Sequence, residues 1–248
     1  MKASNGAIQA YQQRCFREYK TSIDLPEPYT YLRGNPVNVL VPIETAQDGV
    51  MIVGAYPSAK FFTINGIADT PMMDNDAPFS NESYFDGSRV RTIPSGYELA
   101  EHYLQPLGIP RESCWITDLV KVFLFKEGHV ERYRKLSVAV TENRSLYAEY
   151  AQKSIPWLAE EVRLAQPRAA ILLGLEVVSI LFGISEDAAK RLLDGHCRGL
   201  SIGGAEMNVI CLPHPGIIMK RSAINPWPER FEREILPAAY KELQRLGL

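Results

Sequence analysis

Two loops of this 248-residue chain combine proline with side chains that suit catalysis. Residues 54–58 (Gly-Ala-Tyr-Pro-Ser) follow the apolar run Val-Met-Ile-Val, and residues 213–216 (Pro-His-Pro-Gly) include the end of a second apolar segment, Val-Ile-Cys-Leu-Pro. A histidine ring can donate a hydrogen bond where negative charge develops, and a serine hydroxyl can hold a water molecule. His214 and Ser58 are therefore the first candidates for catalytic residues.

Apolar runs alternate with helical patterns and predict the elements that position these loops. Four runs have the length and composition of buried strands, at residues 49–53, 114–120, 168–173 and 207–212, and a weaker candidate lies at 37–43. Helices are expected at 7–20, 95–107, 141–166, 175–194 and 228–246, with Pro156 kinking or dividing the third. The alternation predicts a three-layer α/β/α fold around a central, mostly parallel, four-stranded sheet.

We expect a single domain over residues 1–248. In it, an N-terminal helix and extended lead-in (1–48) precede a core (49–222) and a C-terminal helix (223–248). Ligands of open parallel sheets bind beyond the carboxyl ends of the strands, so the loops at 54–60, 118–126, 174–176 and 213–222 should share one edge. Residues 63–96 show no sustained period and are predicted to form a long, irregular, functional segment.

Composition restricts the class of protein without identifying a partner. The net charge is −2 and the isoelectric point about 6.1, so contact with nucleic acid would need a local basic patch. The scattered Cys15, Cys114, Cys197 and Cys211 predict free thiols in a reducing, cytoplasmic compartment, and the adjacent His196 and Cys197 lack the spacing of a zinc pair. No apolar stretch of about 18 residues occurs, so neither a membrane span nor secretion is expected.

The two loops and the segments between them resemble the motifs of the uracil-DNA glycosylase superfamily. That family's first motif is a strand followed by G-x-x-P-x, as in residues 54–58, and its last is a strand followed by H-P-x, as in 214–216, with a wedge loop behind it. Four further segments are similar to the family's intermediate blocks and occur in the same order. They are residues 77–79 (APF), 95–99 (SGYEL), 116–121 (ITDLVK) and 170–174 (AILLG). The resemblance covers about residues 49–222. It implies the family's α/β/α fold, DNA as partner and hydrolysis of an N-glycosidic bond without a cofactor.

The resemblance implies a role for each segment. His214 would stabilise negative charge on a leaving base, and Phe79 would stack on a base flipped into a pocket formed by Gly54, Ala55, Tyr56, Pro57 and Gly174. A wedge that enters DNA and contacts phosphates would comprise Gly216, Ile217, Ile218, Met219, Lys220 and Arg221. Structural roles also suit these residues: a core histidine, a loop aromatic pinned to the core, a buried apolar turn or a solvated charged face. Further candidates for contacts with phosphate also suit a solvated charged face. They are Lys121, Lys126, Arg132, Arg134 and Lys135.

The sequence departs from the family pattern where the attacking water would be oriented. Family members carry Asp or Asn at the position of Tyr56, or Glu at the position of Ala55. A tyrosine hydroxyl is a poor base near neutral pH, since its unperturbed pKa is about 10. The remaining candidates for placing the water are Ser58 and the carboxylates of the long segment, Asp69, Asp74 and Asp76.

Asp118 is the second departure, because many members of the family have an asparagine there that reads uracil. An ionised carboxylate only accepts hydrogen bonds, whereas an amide both donates and accepts. Asp118 would therefore read a base with an exocyclic amine, become protonated through burial, act in catalysis itself or cap a nearby turn.

The block pattern is nearest to the iron-sulfur branch of the superfamily, whose cluster needs four cysteines, two of them near the amino terminus. This chain has Cys15 alone there, and Val122 at a position of a further ligand. We therefore predict no cluster, no other metal and no cofactor.

The sequence favours a monomeric DNA glycosylase-like hydrolase that excises a damaged or deaminated base, uracil or related, from duplex or single-stranded DNA. Two alternatives stay open: a non-hydrolytic nucleic-acid-binding protein of the same fold, and a hydrolase of small nucleosides or nucleotides.

Overall fold

The strands of the fold arise from the apolar runs of the sequence and from hairpins between them. The computed structural model describes residues 3–248, so residues 1 and 2 of the expected N-terminal segment lie outside it. In chain order its strands are β1 (Val50–Gly54), β2 (Ala59–Ile64), β3 (Ile67–Asp74), β4 (Ser83–Phe85), β5 (Val90–Thr92), β6 (Cys114–Asp118), β7 (Ala169–Leu173), β8 (Cys197–Ile202) and β9 (Ala205–Leu212).

A five-stranded sheet in the order β6-β1-β7-β9-β8 forms the centre of the protein. The first four strands are parallel, and β8 pairs antiparallel with β9 at one edge. All residues of β1, β6 and β7 are buried, as expected for continuous apolar runs whose two sheet faces are both covered. The four expected strands and their parallel pairing are confirmed.

Helices flank this sheet. They are α1 (Asn5–Ser22), α2 (Pro94–Leu99), α3 (Glu127–Lys135), α4 (Tyr147–Ala165), α5 (Leu175–Phe182), α6 (Glu186–Leu192), α7 (Pro215–Ile218), α8 (Trp227–Arg230) and α9 (Leu236–Arg245). Single π-turns extend α2 over Ala100–Leu104 and join α8 to α9 over Phe231–Ile235, and short 3₁₀ turns occur at Leu32–Gly34, Arg111–Ser113 and Arg144–Leu146. The three-layer α/β arrangement predicted from the sequence is therefore confirmed.

Several local expectations were wrong. The sheet gains a fifth strand, β8, because residues 197–202 return as a hairpin beside β9. Residues 37–43 are extended but pair with no strand, and the Leu40 N–H instead donates to the Lys121 carbonyl at 2.8 Å. Pro156 does not divide α4, since the proline removes only one N–H donor from 19 residues of packed helix. The helix expected at 175–194 divides at Gly183, whose φ of 63° ends α5.

The segment 63–96 is not irregular, since much of it forms hairpins. Strands β2 and β3 pair antiparallel around Asn65-Gly66, whose φ values are 49° and 79°. Two consecutive positive φ angles are typical of the type I′ turn that Asn-Gly favours, and this dipeptide is the signal in the sequence. A second hairpin, β4–β5, follows at residues 83–92.

The core extends over almost the whole chain. A contiguous cluster of buried apolar side chains runs from Ile8 in α1 to Leu243 in α9 and includes the central strands. Within residues 3–248, none of the helices has both the length and the apolar character that crossing a membrane requires.

Candidate active site

A cavity of about 390 Å³ opens at the edge of the sheet where the parallel strands end. The loops after β1, β6 and β9 meet there, as expected from their parallel order, and the segment 63–96 contributes to one side. Its lining comprises Ala55, Tyr56, Pro57, Ser58, Phe61, Asn75, Phe79, Ser95, Asp118, Phe123, Lys126, His129, Arg144, Glu176 and His214. The structure thus brings most of the candidate pocket residues together.

Gly54 allows two of the candidate residues to meet over the end of β1. A Cβ atom at this position would lie 2.1 Å from Asp118 Oδ1 and 2.6 Å from Phe79 Cε2, closer than side chains can approach. Phe79 has a φ of 51°, and such left-handed backbone costs a non-glycine residue roughly 1–3 kcal/mol, so it persists only where its surroundings fix it. Arg111 Nη2 donates to the Phe79 carbonyl at 2.9 Å. The Phe79 ring and the Asp118 carboxyl are therefore held beside each other at the cavity.

Asp118 is the last residue of β6, and only 2% of its surface is exposed. Burial raises the pKa of its carboxyl to about 7; the charge of Lys121 opposes this rise and that of Glu161 adds to it. Near neutral pH the carboxyl therefore exists both as an ionised acceptor and as a protonated group that can donate. This is the protonation through burial that the sequence left as one alternative.

A buried ion pair lies behind Asp118. Lys121 Nζ is 2.6 Å from Glu161 Oε1, and both side chains are inaccessible to solvent. The ammonium also donates to Thr117 Oγ1 at 2.7 Å and to the Asp118 carbonyl at 3.0 Å, and the Tyr11 hydroxyl donates to Glu161 at 2.5 Å. Lys121 is therefore unable to contact a phosphate group, contrary to one expectation from the sequence, because it lies inside the core.

His214 begins the short helix α7 and faces the same cavity. The backbone N–H of Gly216 donates to His214 Nδ1 at 3.0 Å, so in the neutral ring the proton is on Nε2. Desolvation by the surrounding protein, followed by the charges of Lys126 and Lys220, lowers the pKa of the imidazole. The ring is thus a neutral donor whose free N–H is available to a ligand.

An aromatic and charged cluster forms another part of the cavity. Arg144 Nε donates to the Tyr56 hydroxyl at 3.0 Å, and Arg144 Nη2 pairs with the Glu176 carboxylate. The guanidinium carbon lies 5.0 Å and 4.9 Å from the ring centres of Tyr56 and Tyr147. Lys126 Nζ lies 5.9 Å from the Tyr56 ring centre. These contacts fit cation–π geometry and fix the guanidinium beside the loop after β1.

A second cavity of about 320 Å³ adjoins the first and is mostly apolar. Both are lined by Ala55, Glu176 and His214. Gly174, a candidate pocket residue, lines only the second cavity, where it lies beside His214. The rest of this lining comprises Leu173, Leu175, Lys190, Leu193, Ile217 and Trp227.

The carboxylates expected to place a water lie elsewhere. Asp69 pairs with Arg91 at 2.7 Å, Asp76 pairs with Lys60 at 2.8 Å, and Asp74 accepts hydrogen bonds from the Asn38 N–H and the Tyr31 hydroxyl. None of the three acids lines the cavity. Ser58 does line it.

Several lining residues were missed by the sequence analysis, among them Phe61, Asn75, His129, Arg144 and Glu176. Arg144 and Asn75 carried no recognisable motif, whereas Glu176 lies within the loop 174–176 that was expected at this edge. Asn75 is buried, and its Oδ1 has no hydrogen-bond partner within the structure. Buried amide oxygens are nearly always paired in proteins, so Asn75 is an acceptor in need of a ligand or a water.

The expected wedge is only partly exposed. Ile217 and Met219 are 38% and 42% exposed, whereas Ile218 is 6% exposed and belongs to the core cluster. Ile218 is therefore not a wedge residue, since the helical turn of α7 directs it inward. Lys220 is exposed, and Arg221 forms an exposed pair with Glu232 at 2.7 Å.

The other basic candidates lie on or beside α3. Lys126 reaches the cavity, as described above, and Arg132 donates to the Gly128 carbonyl at 2.7 Å. Arg134 and Lys135 are exposed in the last turn of the helix, where their charges also favour the helix dipole. A solvated face accounts for these last two residues without a ligand.

The cysteines do not fit an iron-sulfur cluster. Cys15, Cys114 and Cys211 are buried as separate free thiols, and no group of three or more potential metal ligands occurs within residues 3–248. Burial raises the pKa of Cys15 to about 12. Val122 is fully buried in the apolar core.

Comparison with known proteins agrees with this arrangement. The family model described as the uracil DNA glycosylase superfamily matches residues 43–231. A type-4 uracil-DNA glycosylase from Pyrobaculum aerophilum is 23% identical over 155 residues, which cover 62% of this chain and 69% of that protein. The matched region contains every strand and the whole cavity, so this chain belongs to the uracil DNA glycosylase superfamily.

Proposed function

We propose that this protein is a DNA glycosylase that excises a damaged or deaminated base, uracil or a related base, by hydrolysing its N-glycosidic bond. The observation that carries the proposal is the meeting of Phe79, Asp118 and His214 around one cavity of about 390 Å³. A flipped base needs a stacking face, a reader for its polar edge and a donor for its leaving charge. These three side chains have the corresponding chemistry.

Recognition of the base would combine Phe79 and Asp118. The aromatic ring provides a stacking face, and the adjacent carboxyl contacts the polar edge of the base. In its protonated form Asp118 donates to a carbonyl oxygen, as on uracil, and in its ionised form it accepts from an N–H or an exocyclic amine. With a pKa of about 7, both forms are accessible at physiological pH.

Departure of the base would be assisted by His214. When the glycosidic bond breaks, its electron pair leaves with the base, and negative charge develops on the base oxygen. The Nε2–H of a neutral imidazole is a fixed donor for that charge, because Nδ1 is already engaged by the Gly216 N–H. The lowered pKa keeps the ring neutral near pH 7.

Contact with DNA would come from the exposed part of the α7 region. Ile217 and Met219 are exposed apolar side chains, Ile217 lines the second cavity, and apolar wedges of this kind unstack base steps. Lys220 follows them and suits a phosphate contact. The protein would act as a monomer in the cytoplasm.

The test is a base-release assay on duplex and single-stranded oligonucleotides that contain uracil, hypoxanthine, xanthine or a mismatched normal base, with abasic sites cleaved afterwards. His214→Ala should lower release about 10²- to 10³-fold, the usual effect of losing one such donor. The matched control is His196→Ala, because the His196 ring is exposed, lies 3.8 Å from Glu242 and lines neither cavity. Equal rates for the two variants would refute the role of His214.

A non-hydrolytic binding protein of the same fold is the second candidate. It is favoured by Ala55 and Tyr56, which place no carboxylate in the loop after β1. It predicts binding of base-containing oligonucleotides with no abasic product from any of them. A small-nucleoside hydrolase would instead act on free nucleosides and bind DNA weakly, without the steep salt dependence of phosphate contacts.

A further inference from the structure

Hydrolysis at this site requires a group that orients water and accepts its proton, and the loop after β1 has no carboxylate for this. Ser58 in that loop can hold a water, but its hydroxyl is too weak a base to take the proton. Ala55 has no functional group, and the Tyr56 hydroxyl accepts a hydrogen bond from Arg144. The acids of the β2–β3 hairpin are paired outside the cavity. Asp118 lies beside Phe79 over Gly54, on the part of the cavity that suits the base edge.

Glu176 is a further carboxylate in the lining. It lies in the first turn of α5, directly after the loop that follows β7. Together with Ala55 and His214 it lines both adjoining cavities, so it borders the same space as the position that lacks a carboxylate and as the leaving-group donor. We propose that Glu176 orients the attacking water and accepts its proton, a role that rests on the proposed glycosylase activity.

The surroundings of Glu176 hold its carboxylate in one place. Arg144 pairs with it, and the guanidinium is fixed in turn by the Tyr56 hydroxyl and the rings of Tyr56 and Tyr147. Position in the first turn of a helix also favours a negative charge. The Glu176 side chain remains 37% exposed, which leaves room for a water molecule.

The hydrolytic step balances with these groups. The bond between C1′ of the sugar and the base nitrogen breaks, and its electron pair leaves with the base toward His214 Nε2–H. A water oxygen forms the new bond to C1′, and one water proton passes to the Glu176 carboxylate. That proton then moves through solvent to the departed base, so the products are a neutral base and an abasic sugar.

The same geometry gives Glu176 a second effect. Positive charge develops on the sugar while the glycosidic bond breaks, and a fixed carboxylate nearby stabilises it. Glutamine at this position would keep the shape and an acceptor for Arg144 but would lose both the charge and the proton acceptor. Glu176→Gln therefore separates the chemical role from the structural one.

The experiment measures single-turnover base release with enzyme in excess, on the substrate identified by the release assay. Glu176→Gln should slow release about 100-fold or more, as for loss of a general base, with unchanged thermal midpoint and unchanged affinity for DNA containing the product abasic site. Glu160→Gln is the matched control, because Glu160 is also a partly exposed helix carboxylate paired with an arginine, Arg14, but lies outside both cavities.

A rescue experiment complements this comparison. Glu176→Ala opens space beside Arg144, and added formate should occupy it and accelerate release about tenfold, whereas formate should not accelerate Glu176→Gln, which leaves no such space. A Glu176→Gln rate within about threefold of Glu160→Gln, or no acceleration of Glu176→Ala by formate, would overturn the role of Glu176 while leaving the glycosylase proposal intact. Absence of release by the wild-type protein from every substrate would overturn both.

Discussion

Replacing Asp118 with asparagine should change the stability of the protein in a pH-dependent way. In the folded protein the carboxyl has a pKa of about 7, against an ordinary value of 3.8, because burial disfavours the ionised form. Between these values the folded protein binds the proton more tightly than the unfolded chain. The wild-type protein therefore loses stability as the pH rises through this range, whereas the amide of Asp118→Asn does not titrate.

The two pKa values define the size of the effect. They differ by about three, which corresponds to about 4 kcal/mol in the free energy of unfolding. Relative to wild type, Asp118→Asn should therefore gain about 4 kcal/mol between pH 4 and pH 8. Most of the change should fall between pH 5 and pH 7, on the approach to the folded pKa.

Urea unfolding of both proteins at a series of pH values measures this difference directly. Asp187→Asn is a suitable control, because Asp187 is an exposed aspartate in the first turn of α6. A stability difference between Asp118→Asn and wild type that stays constant from pH 4 to pH 8 would refute the reasoning. It would mean that the Asp118 carboxyl is solvated in solution or has a donor that stabilises its ionised form.

Two further predictions concern buried residues. Lys121→Met should lower the free energy of unfolding by about 3–5 kcal/mol, because it removes the partner of the buried Glu161 carboxylate. Combining Lys121→Met with Glu161→Gln should recover more than half of that loss, as measured by urea unfolding. A double variant no more stable than Lys121→Met would contradict this account. Ile218→Ala should cost about 2–5 kcal/mol as a core truncation, whereas Ile217→Ala should leave stability unchanged and weaken release from duplex more than from single-stranded DNA. Equal stability losses for the two isoleucine variants, or equal effects of Ile217→Ala on both kinds of DNA, would contradict the assignment.

The sequence was sufficient to predict the central parallel strands, because strands buried on both faces have short, continuous apolar sequences. It was also sufficient to predict which loops meet, since parallel strands end at one edge. It was not sufficient for β8, whose residues before Ile202 are half-buried or exposed and include Arg198 and Gly199. The β2–β3 hairpin was missed although Asn65-Gly66 signals it, because its strands show no sustained alternation of apolar and polar residues and Pro71 interrupts the second strand.

The candidate site was predictable where its residues follow strands directly. Asp118 and His214 come within two residues of a strand end, so the order of elements is enough to bring them together. Arg144 and Asn75 reach the cavity from a 3₁₀ turn and from the end of a hairpin, whose paths are set by tertiary packing. The inward position of Ile218 depends on one short helical turn, which no periodic pattern in six residues could reveal.

The hydrogen bond from the Gly216 N–H to His214 joins the ionisation of the ring to the conformation of the chain that follows it. A second proton on the imidazole would occupy Nδ1 and oppose the Gly216 N–H, so helix α7 would lose the group that caps its first turn. Acidification would therefore do more than remove a neutral donor. It would also destabilise the segment that carries Ile217 and Met219. The rate of base release and the affinity for DNA would therefore decline together below the imidazole pKa.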